Sequence, residues 1–283
     1  MNNVIHPPQP TPCRHIKWFG RTDRGKVRPN NEDAFLGLRF DSREVQRLGK
    51  FGKAATARAD FAFAVSDGMG GAMAGEYASR IAVEKITTLL PRSFELGASG
   101  LASGFSDVLL ELFDQVHRTL TYLGASDEEC AGMETTLSVC WFTPEWLYFG
   151  HIGDSRIYYL PARERSLKQL SQDDTHVAWL FRNGQISELE ARTHPRRNLL
   201  QKALGGNNQF IDPQVGAVGF EPGDIFLLCT DGLVEGLYDE QILEVLSPAK
   251  RPKAGHNPAD CLVTAALEKD GRDNTTALVI QVI

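Results

Sequence analysis

Three aspartates in this chain stand at the ends of apolar runs. Phe61-Ala62-Phe63-Ala64-Val65 gives way to Ser66-Asp67-Gly68-Met69-Gly70-Gly71, and Ile225-Phe226-Leu227-Leu228-Cys229 gives way to Thr230-Asp231-Gly232. The order is the same in both: apolar strand, hydroxyl, aspartate, glycine. Asp273 precedes Asn274 and opens the closing apolar run, 275–283. A single Asp-Gly is a common turn dipeptide, but its recurrence delivers carboxylates to strand ends, where antiparallel neighbours bring them to one sheet edge. Acidic groups gathered with nothing basic close in sequence repel one another unless cations neutralise them, and hard oxygen donors suit Mg²⁺ or Mn²⁺. The pattern points to a metal centre.

Two further segments add to it. In Arg28-Pro29-Asn30-Asn31-Glu32-Asp33 the proline biases Arg28 toward an extended backbone. Its guanidinium can then reach an anion while Glu32 and Asp33 turn toward metal or metal-bound water. Gly153-Asp154-Ser155-Arg156 offers another carboxylate at a strand end.

The positioning elements follow from periodicity. Residues 16–20 and 34–38 read as strands around the polar loop 25–33, and 41–60 as a long solvated hairpin loop. After the first Asp-Gly, Ala78, Ile81, Ala82, Ile86 and Leu89 keep helical spacing up to Pro91, and Phe105 to Leu123 does so more cleanly. Runs 136–142, 146–152 and 156–160 predict a three-stranded meander. Asp173-Asp174-Thr175-His176, Ser187 and Asn198 can cap short helices in and beside 174–206, a candidate substrate flap that carries Arg192, Arg196 and Arg197. Helices from Asp239 and from Asn257-Pro258 precede the last strand. Strand runs and helix pairs without regular βαβ alternation predict antiparallel sheets covered by helices.

Composition bounds the rest. The 283 residues, 42% apolar and 23% charged, suit one ordinary globular domain over 15–283 behind a proline-rich, disordered lead-in at 1–14. A net charge of −6 argues against a nucleic-acid partner. Five cysteines with no C-x-x-C spacing suggest neither a disulfide framework nor a zinc site. With no membrane-length apolar run and no signal-peptide pattern, the expected location is the cytoplasm, with no membrane partner.

Taken in order, Arg28-x-x-x-Glu32-Asp33, Asp67-Gly68-Met69-Gly70-Gly71, Gly153-Asp154-Ser155-Arg156, Asp231-Gly232 and Asp273-Asn274 make the chain resemble the PPM-type (protein phosphatase 2C) metal-dependent serine/threonine phosphatases along nearly its whole length. Methionine after Asp-Gly is similar to the bacterial branch. The resemblance implies an α+β fold, two stacked antiparallel sheets flanked by antiparallel helix pairs, with two Mn²⁺ or Mg²⁺ ions and a possible third at one end. It implies that Asp67 bridges both ions, that Asp231 and Asp273 complete one shell, and that the Gly68 carbonyl binds the other ion. Glu32 and Asp33 would act through metal-bound water, Arg28 would hold the phosphate, Asp154 with Asp231 would take the third ion, and Asn274 would support. The implied reaction is direct attack on a phosphoserine or phosphothreonine by hydroxide held between the ions, in a monomer opposing a cognate Ser/Thr kinase. Met69, where other members carry histidine, has no proton to donate. A metal-dependent nuclease and a silent phosphoprotein-binding adaptor are the alternatives. The acidic charge weighs against the first, and the full carboxylate set with Arg28 against the second.

Overall fold

The computed structural model describes residues 14–57, 59–70, 73–98, 104–164, 166–208, 210–247 and 257–283. The lead-in therefore lies outside the described residues except for Arg14, and so does Gly71. In chain order, β1 (His15–Asp23), β2 (Asp33–Phe40), β3 (Val45–Arg47), β4 (Phe51–Ala55) and β5 (Asp60–Met69) precede α1 (Ala74–Ala98) and α2 (Phe105–Ser126). Then come β6 (Glu134–Thr135), β7 (Leu137–Phe142), β8 (Trp146–Ile152), β9 (Arg156–Leu160), β10 (Lys168–Gln169), α3 (His176–Arg182) and α4 (Glu188–Thr193). The chain continues through β11 (Leu204–Gly205), β12 (Gln214–Gly219), β13 (Ile225–Cys229), α5 (Asp231–Gly236), α6 (Asp239–Leu246), α7 (Pro258–Lys269) and β14 (Thr275–Val282).

The strands form two antiparallel sheets. One is ordered β10-β9-β13-β14-β1-β4; the other is ordered β11-β6-β5-β7-β8-β12, with β2 beside β5 and β3 beside β2. The alternation in β5 explains how they stack. Phe61, Phe63 and Val65 point between the sheets toward Phe142, Phe226 and Ile280, while Ala62 and Ala64 face the helix side with Ala78, Ala82 and Leu112. Small residues on that second face let α1 approach closely. A third core joins β13 and β14 to α5, α6 and α7. The result is the predicted α+β sandwich of helices, sheet, sheet and helices. Among the described residues no helix is long and apolar enough to cross a membrane.

Several expectations need correction. β5 does not stop at Ser66: it runs on to Met69, because Asp67 pairs with Asp33 of β2 and Gly68 with Thr135 of β6. Residues 41–60 hold β3 and β4 rather than a free loop, β4 pairing with β1. Gly52 lies under the Trp18 ring, where a Cβ would collide, and the Trp18 indole donates to the Gly49 carbonyl at 2.9 Å. These glycines serve packing, which disguised the strand as loop. α1 passes through Pro91, whose cost of about 3 kcal/mol is matched by burial of Leu89 and Leu90 and by Phe94 packing edge-on to Phe40 at 6.0 Å.

The meander is not one. β7 and β8 pair, but β9 joins β13 in the other sheet, so the 153–155 turn crosses between the sheets. Asn198 caps no helix: its side chain donates to Glu235, Leu200 bridges Thr175, and Leu204 pairs with Thr135. On the second helical face, α5 adds a third helix to the expected pair, and Asp231 is its first residue rather than a strand end.

Candidate metal centre

Five chain segments meet at one end of the sandwich, and backbone pairing accounts for the meeting. Asp33 opens β2 and stands directly opposite Asp67 of β5, so their side chains share a face. The Asp67 backbone is held on both sides, its N–H donating to the Thr136 hydroxyl at 3.0 Å and its carbonyl accepting from the Thr136 N–H at 2.9 Å and the Thr135 hydroxyl at 2.7 Å. A Cβ at Gly68 would collide with the Gly75 carbonyl near the start of α1, so glycine is required there. The Gly68 N–H donates to the Glu32 carbonyl at 3.2 Å.

Asn274 organises the loop that carries Arg28. Its Oδ1 accepts from the Glu32 N–H at 2.8 Å, and its amide donates to the Arg24 and Asn30 carbonyls, both at 2.9 Å. Asp273, one residue earlier, receives the Arg28 guanidinium at 2.7 Å, with the Arg28 side chain 48% exposed. Asp154 enters from the crossing turn. Gly153 there adopts φ +108°, and its N–H and carbonyl are bound by Asp174 at 3.0 and 2.8 Å. The turn's Ser155 hydroxyl meets that of Thr136 at 2.8 Å.

Among the described residues, two buried carboxylate oxygens are left without partners. Asp33 Oδ2 accepts from the hydroxyls of Thr230 at 2.7 Å and Thr276 at 2.6 Å, but its Oδ1 is buried with none. Asp231 Oδ1 is likewise buried and unpartnered. Burial, then neighbouring carboxylates, drives the acids upward. Asp67 is raised well above the usual range by burial and by Asp33, Asp231, Asp154 and Asp273. Asp231 is raised by burial and by Asp154, Asp273, Glu235 and Asp33. Asp154 rises to about 7, mainly by burial, then Asp173. Asp33 rises to about 7 by burial, against the two threonine hydroxyls. Glu32 is raised by burial.

A divalent cation fits this donor set. It would satisfy the orphaned oxygens and remove the mutual repulsion, and every donor is hard oxygen. Among the described residues no three acidic, imidazole or thiolate groups are closed into a single-ion cage. The carboxylates come instead from five separate segments, which suits Mg²⁺ or Mn²⁺ ions that retain several waters and need few protein oxygens each.

The structure thus brings together Arg28, Glu32, Asp33, Asp67, Gly68, Asp154, Asp231, Asp273 and Asn274. It does not bring the flap arginines there as a substrate-facing group. Arg192 donates to the Val234, Glu235 and Leu237 carbonyls, and Arg197 pairs with Glu235 at 2.9 Å. Only Arg196 has an exposed side chain. The sequence reading gave no role to Thr230, Thr135, Thr136 or Thr276. The signal for one was present, since Thr230 occupies the hydroxyl position of the repeated strand-hydroxyl-Asp-Gly pattern.

Comparison with known proteins gives the family and the fold. The protein phosphatase 2C family pattern matches residues 50–267. The serine/threonine protein phosphatase PstP of Mycobacterium tuberculosis is 34% identical over 272 residues, 95% of this chain but 45% of its own length. The serine/threonine phosphatase stp of Listeria monocytogenes is 31% identical over 261 residues, covering 92% of this chain and 94% of its own length. A PstP catalytic domain solved with two manganese ions superposes with a TM-score of 0.70 at 31% identity, covering 95% of this chain and 99% of that one. This chain therefore spans less than half of the first relative and nearly all of the second.

Proposed function

Since this chain belongs to the protein phosphatase 2C family, we propose that it is a metal-dependent protein serine/threonine phosphatase acting on phosphoserine and phosphothreonine. The observation that carries the reading is the pair of buried, unpartnered oxygens on Asp33 and Asp231, within a group of carboxylates that press on one another and of which Asp273 is paired with Arg28. Asp67, Asp231, Asp273 and the Gly68 carbonyl would hold two Mn²⁺ or Mg²⁺ ions, with Glu32 and Asp33 acting through water. Bound divalent ions supply charge neutralisation and an activated water near neutral pH.

The chain's own groups do the rest. Thr230 and Thr276 donate to one Asp33 oxygen and so leave the other, buried and unpartnered, for a cation or its bound water. Asn274 clamps the 24–32 loop, setting where Arg28 leaves the backbone. Arg28, anchored on Asp273 and half exposed, can turn one edge of its guanidinium toward a phosphate dianion. Met69 has no proton to give, which leaves water, bulk or bound at the site, as the proton source for the released serine or threonine oxygen. The substrates are phosphorylated proteins, products of a Ser/Thr kinase, and the enzyme acts as a cytoplasmic monomer. Residues 174–206 serve as a flap beside the metal site, in which Arg196 is the exposed one of Arg192, Arg196 and Arg197.

The test is hydrolysis of a phosphothreonine peptide with Mn²⁺ present, in wild type and Arg28→Ala. Charge-assisted hydrogen bonds to phosphate contribute about 1.5–3 kcal/mol, so the variant should lose roughly ten- to a few-hundredfold in kcat/KM with Mn²⁺ affinity unchanged. Equal kcat/KM would place Arg28 outside the site. No peptide hydrolysis by wild type would reject the function.

Asp154→Ala addresses the third ion. It should lower turnover while two Mn²⁺ ions still bind tightly, because Asp154 approaches from the crossing turn and not from the Asp33–Asp67 strand pair. Loss of tight binding at both core positions, measured calorimetrically, would show that Asp154 belongs to the core pair.

A further inference from the structure

α5 is only six residues long, and Asp231 is its first. A helix of that length cannot hold its own direction. Its N-terminal end lacks a side-chain cap, because the Thr230 hydroxyl donates to Asp33 and accepts from the Thr276 N–H at 3.0 Å. Packing fixes the helix from two sides. A Cβ at Gly232 would collide with the Asn274 carbonyl, and one at Gly236 would lie 2.7 Å from the Ala266 carbonyl of α7.

The remaining constraint comes from the flap. Arg192, in the last turn of α4, donates one guanidinium nitrogen to the carbonyls of Val234 at 2.7 Å, Glu235 at 3.3 Å and Leu237 at 3.2 Å. These include the carbonyls a helix leaves without intrahelical partners at its C-terminus. The same guanidinium lies 3.8 Å from the centre of the Tyr238 ring. Arg197 and Asn198 hold the Glu235 carboxylate at 2.9 and 2.8 Å. Arg192 itself is set by a capping box at the other end of α4, between Ser187 and Glu190.

A side chain satisfying three backbone carbonyls and stacked on an aromatic ring is not available to a substrate phosphate. It is, however, bound to the helix whose first residue carries an unpartnered buried carboxylate oxygen. We propose that Arg192 is a positioning residue for the metal centre: by gripping the C-terminal end of α5 it fixes the helix axis, and with it the direction in which the Asp231 carboxylate faces the cation. The flap is thereby part of the metal site's framework. This rests on the reading of Asp231 as a metal ligand.

Calorimetric titration of Mn²⁺ into the full chain tests it, comparing wild type, Arg192→Ala, Arg192→Gln, Arg192→Lys and Asp231→Asn, with metal-free melting curves alongside. Supporting groups behind metal ligands affect affinity by about ten- to a hundredfold. Arg192→Ala should weaken Mn²⁺ binding within that range, and Arg192→Lys, which keeps a cationic donor for the Val234 carbonyl, should recover most of the loss. A purely structural role would lower the metal-free Tm and leave Mn²⁺ affinity at the wild-type value, and that result overturns the proposal. Should Arg192→Ala fail to fold, Arg192→Gln decides on the same scale, several-fold weaker binding supporting the proposal and wild-type affinity overturning it. If Asp231→Asn binds Mn²⁺ as wild type does, the reading of Asp231 fails and takes this inference with it. Weakened binding in Asp231→Asn beside wild-type binding in the Arg192 variants overturns the inference alone.

Discussion

Asp231→Asn should reduce turnover of a phosphothreonine peptide by about a thousandfold or more, equivalent to roughly 4 kcal/mol of transition-state stabilisation, while the protein stays folded. The amide has the same shape but no charge to offer a cation. Asp231 is pressed upward in pKa by burial and by Asp154, Asp273, Glu235 and Asp33, so removing its charge relieves repulsion in the metal-free chain. The variant's metal-free Tm should therefore equal or exceed that of wild type. Asp67→Asn should behave alike, since Asp67 faces Asp33 across the strand pair and is raised by burial and by Asp33, Asp231, Asp154 and Asp273. The combination separates a ligand from a structural aspartate, which would lose activity by losing the fold. A rate close to wild type at saturating Mn²⁺ would remove either residue from the ligand set.

Exhaustive chelation should stop phosphopeptide hydrolysis, and added Mn²⁺ or Mg²⁺ should restore it. Nothing on Glu32, Asp33, Asp67, Asp154, Asp231 or Asp273 can lower the charge barrier between a phosphate dianion and its nucleophile, because each carboxylate raises that barrier unless a cation intervenes. The same ions should stabilise the fold by mass action, about 2.7 kcal/mol at a concentration one hundred times Kd. Activity and Tm should accordingly rise together along a Mn²⁺ titration. Full activity after chelation would end the metal reading. Recovery of activity without any rise in Tm would mean that the ions do not bind at the buried carboxylates.

The candidate site was legible because its chemistry is written locally. Apolar run, hydroxyl, aspartate and glycine sit within a few residues of one another at both 61–68 and 225–232, and strand periodicity states where each carboxylate will be delivered. Capping chemistry was equally local: Ser187 and Asn257 cap α4 and α7 as their side chains allow, and of the 173–176 stretch it is Thr175 that caps α3. Readings failed where the deciding partner is distant in sequence. Asn198 looks like a cap until Glu235 takes its amide. Residues 51–55 look like loop until the Trp18 ring requires Gly52. β9 looks like the third strand of a meander until β13 offers it an edge in the other sheet.

The sequence by itself therefore determined the layered class of the fold, the carboxylates and arginine available for chemistry, and the kind of cation that suits them, because side-chain type and period are properties of short segments. Only the tertiary structure decided which oxygens are left unsatisfied, since that depends on Thr230 and Thr276 reaching Asp33 from 197 and 243 residues away. It also decided that Arg192 and Arg197 grip α5 and leave Arg196 as the exposed arginine of the three. An arginine's acceptor is set by whichever carbonyls and carboxylates the fold brings within about 3 Å of it, and no spacing along the chain records that.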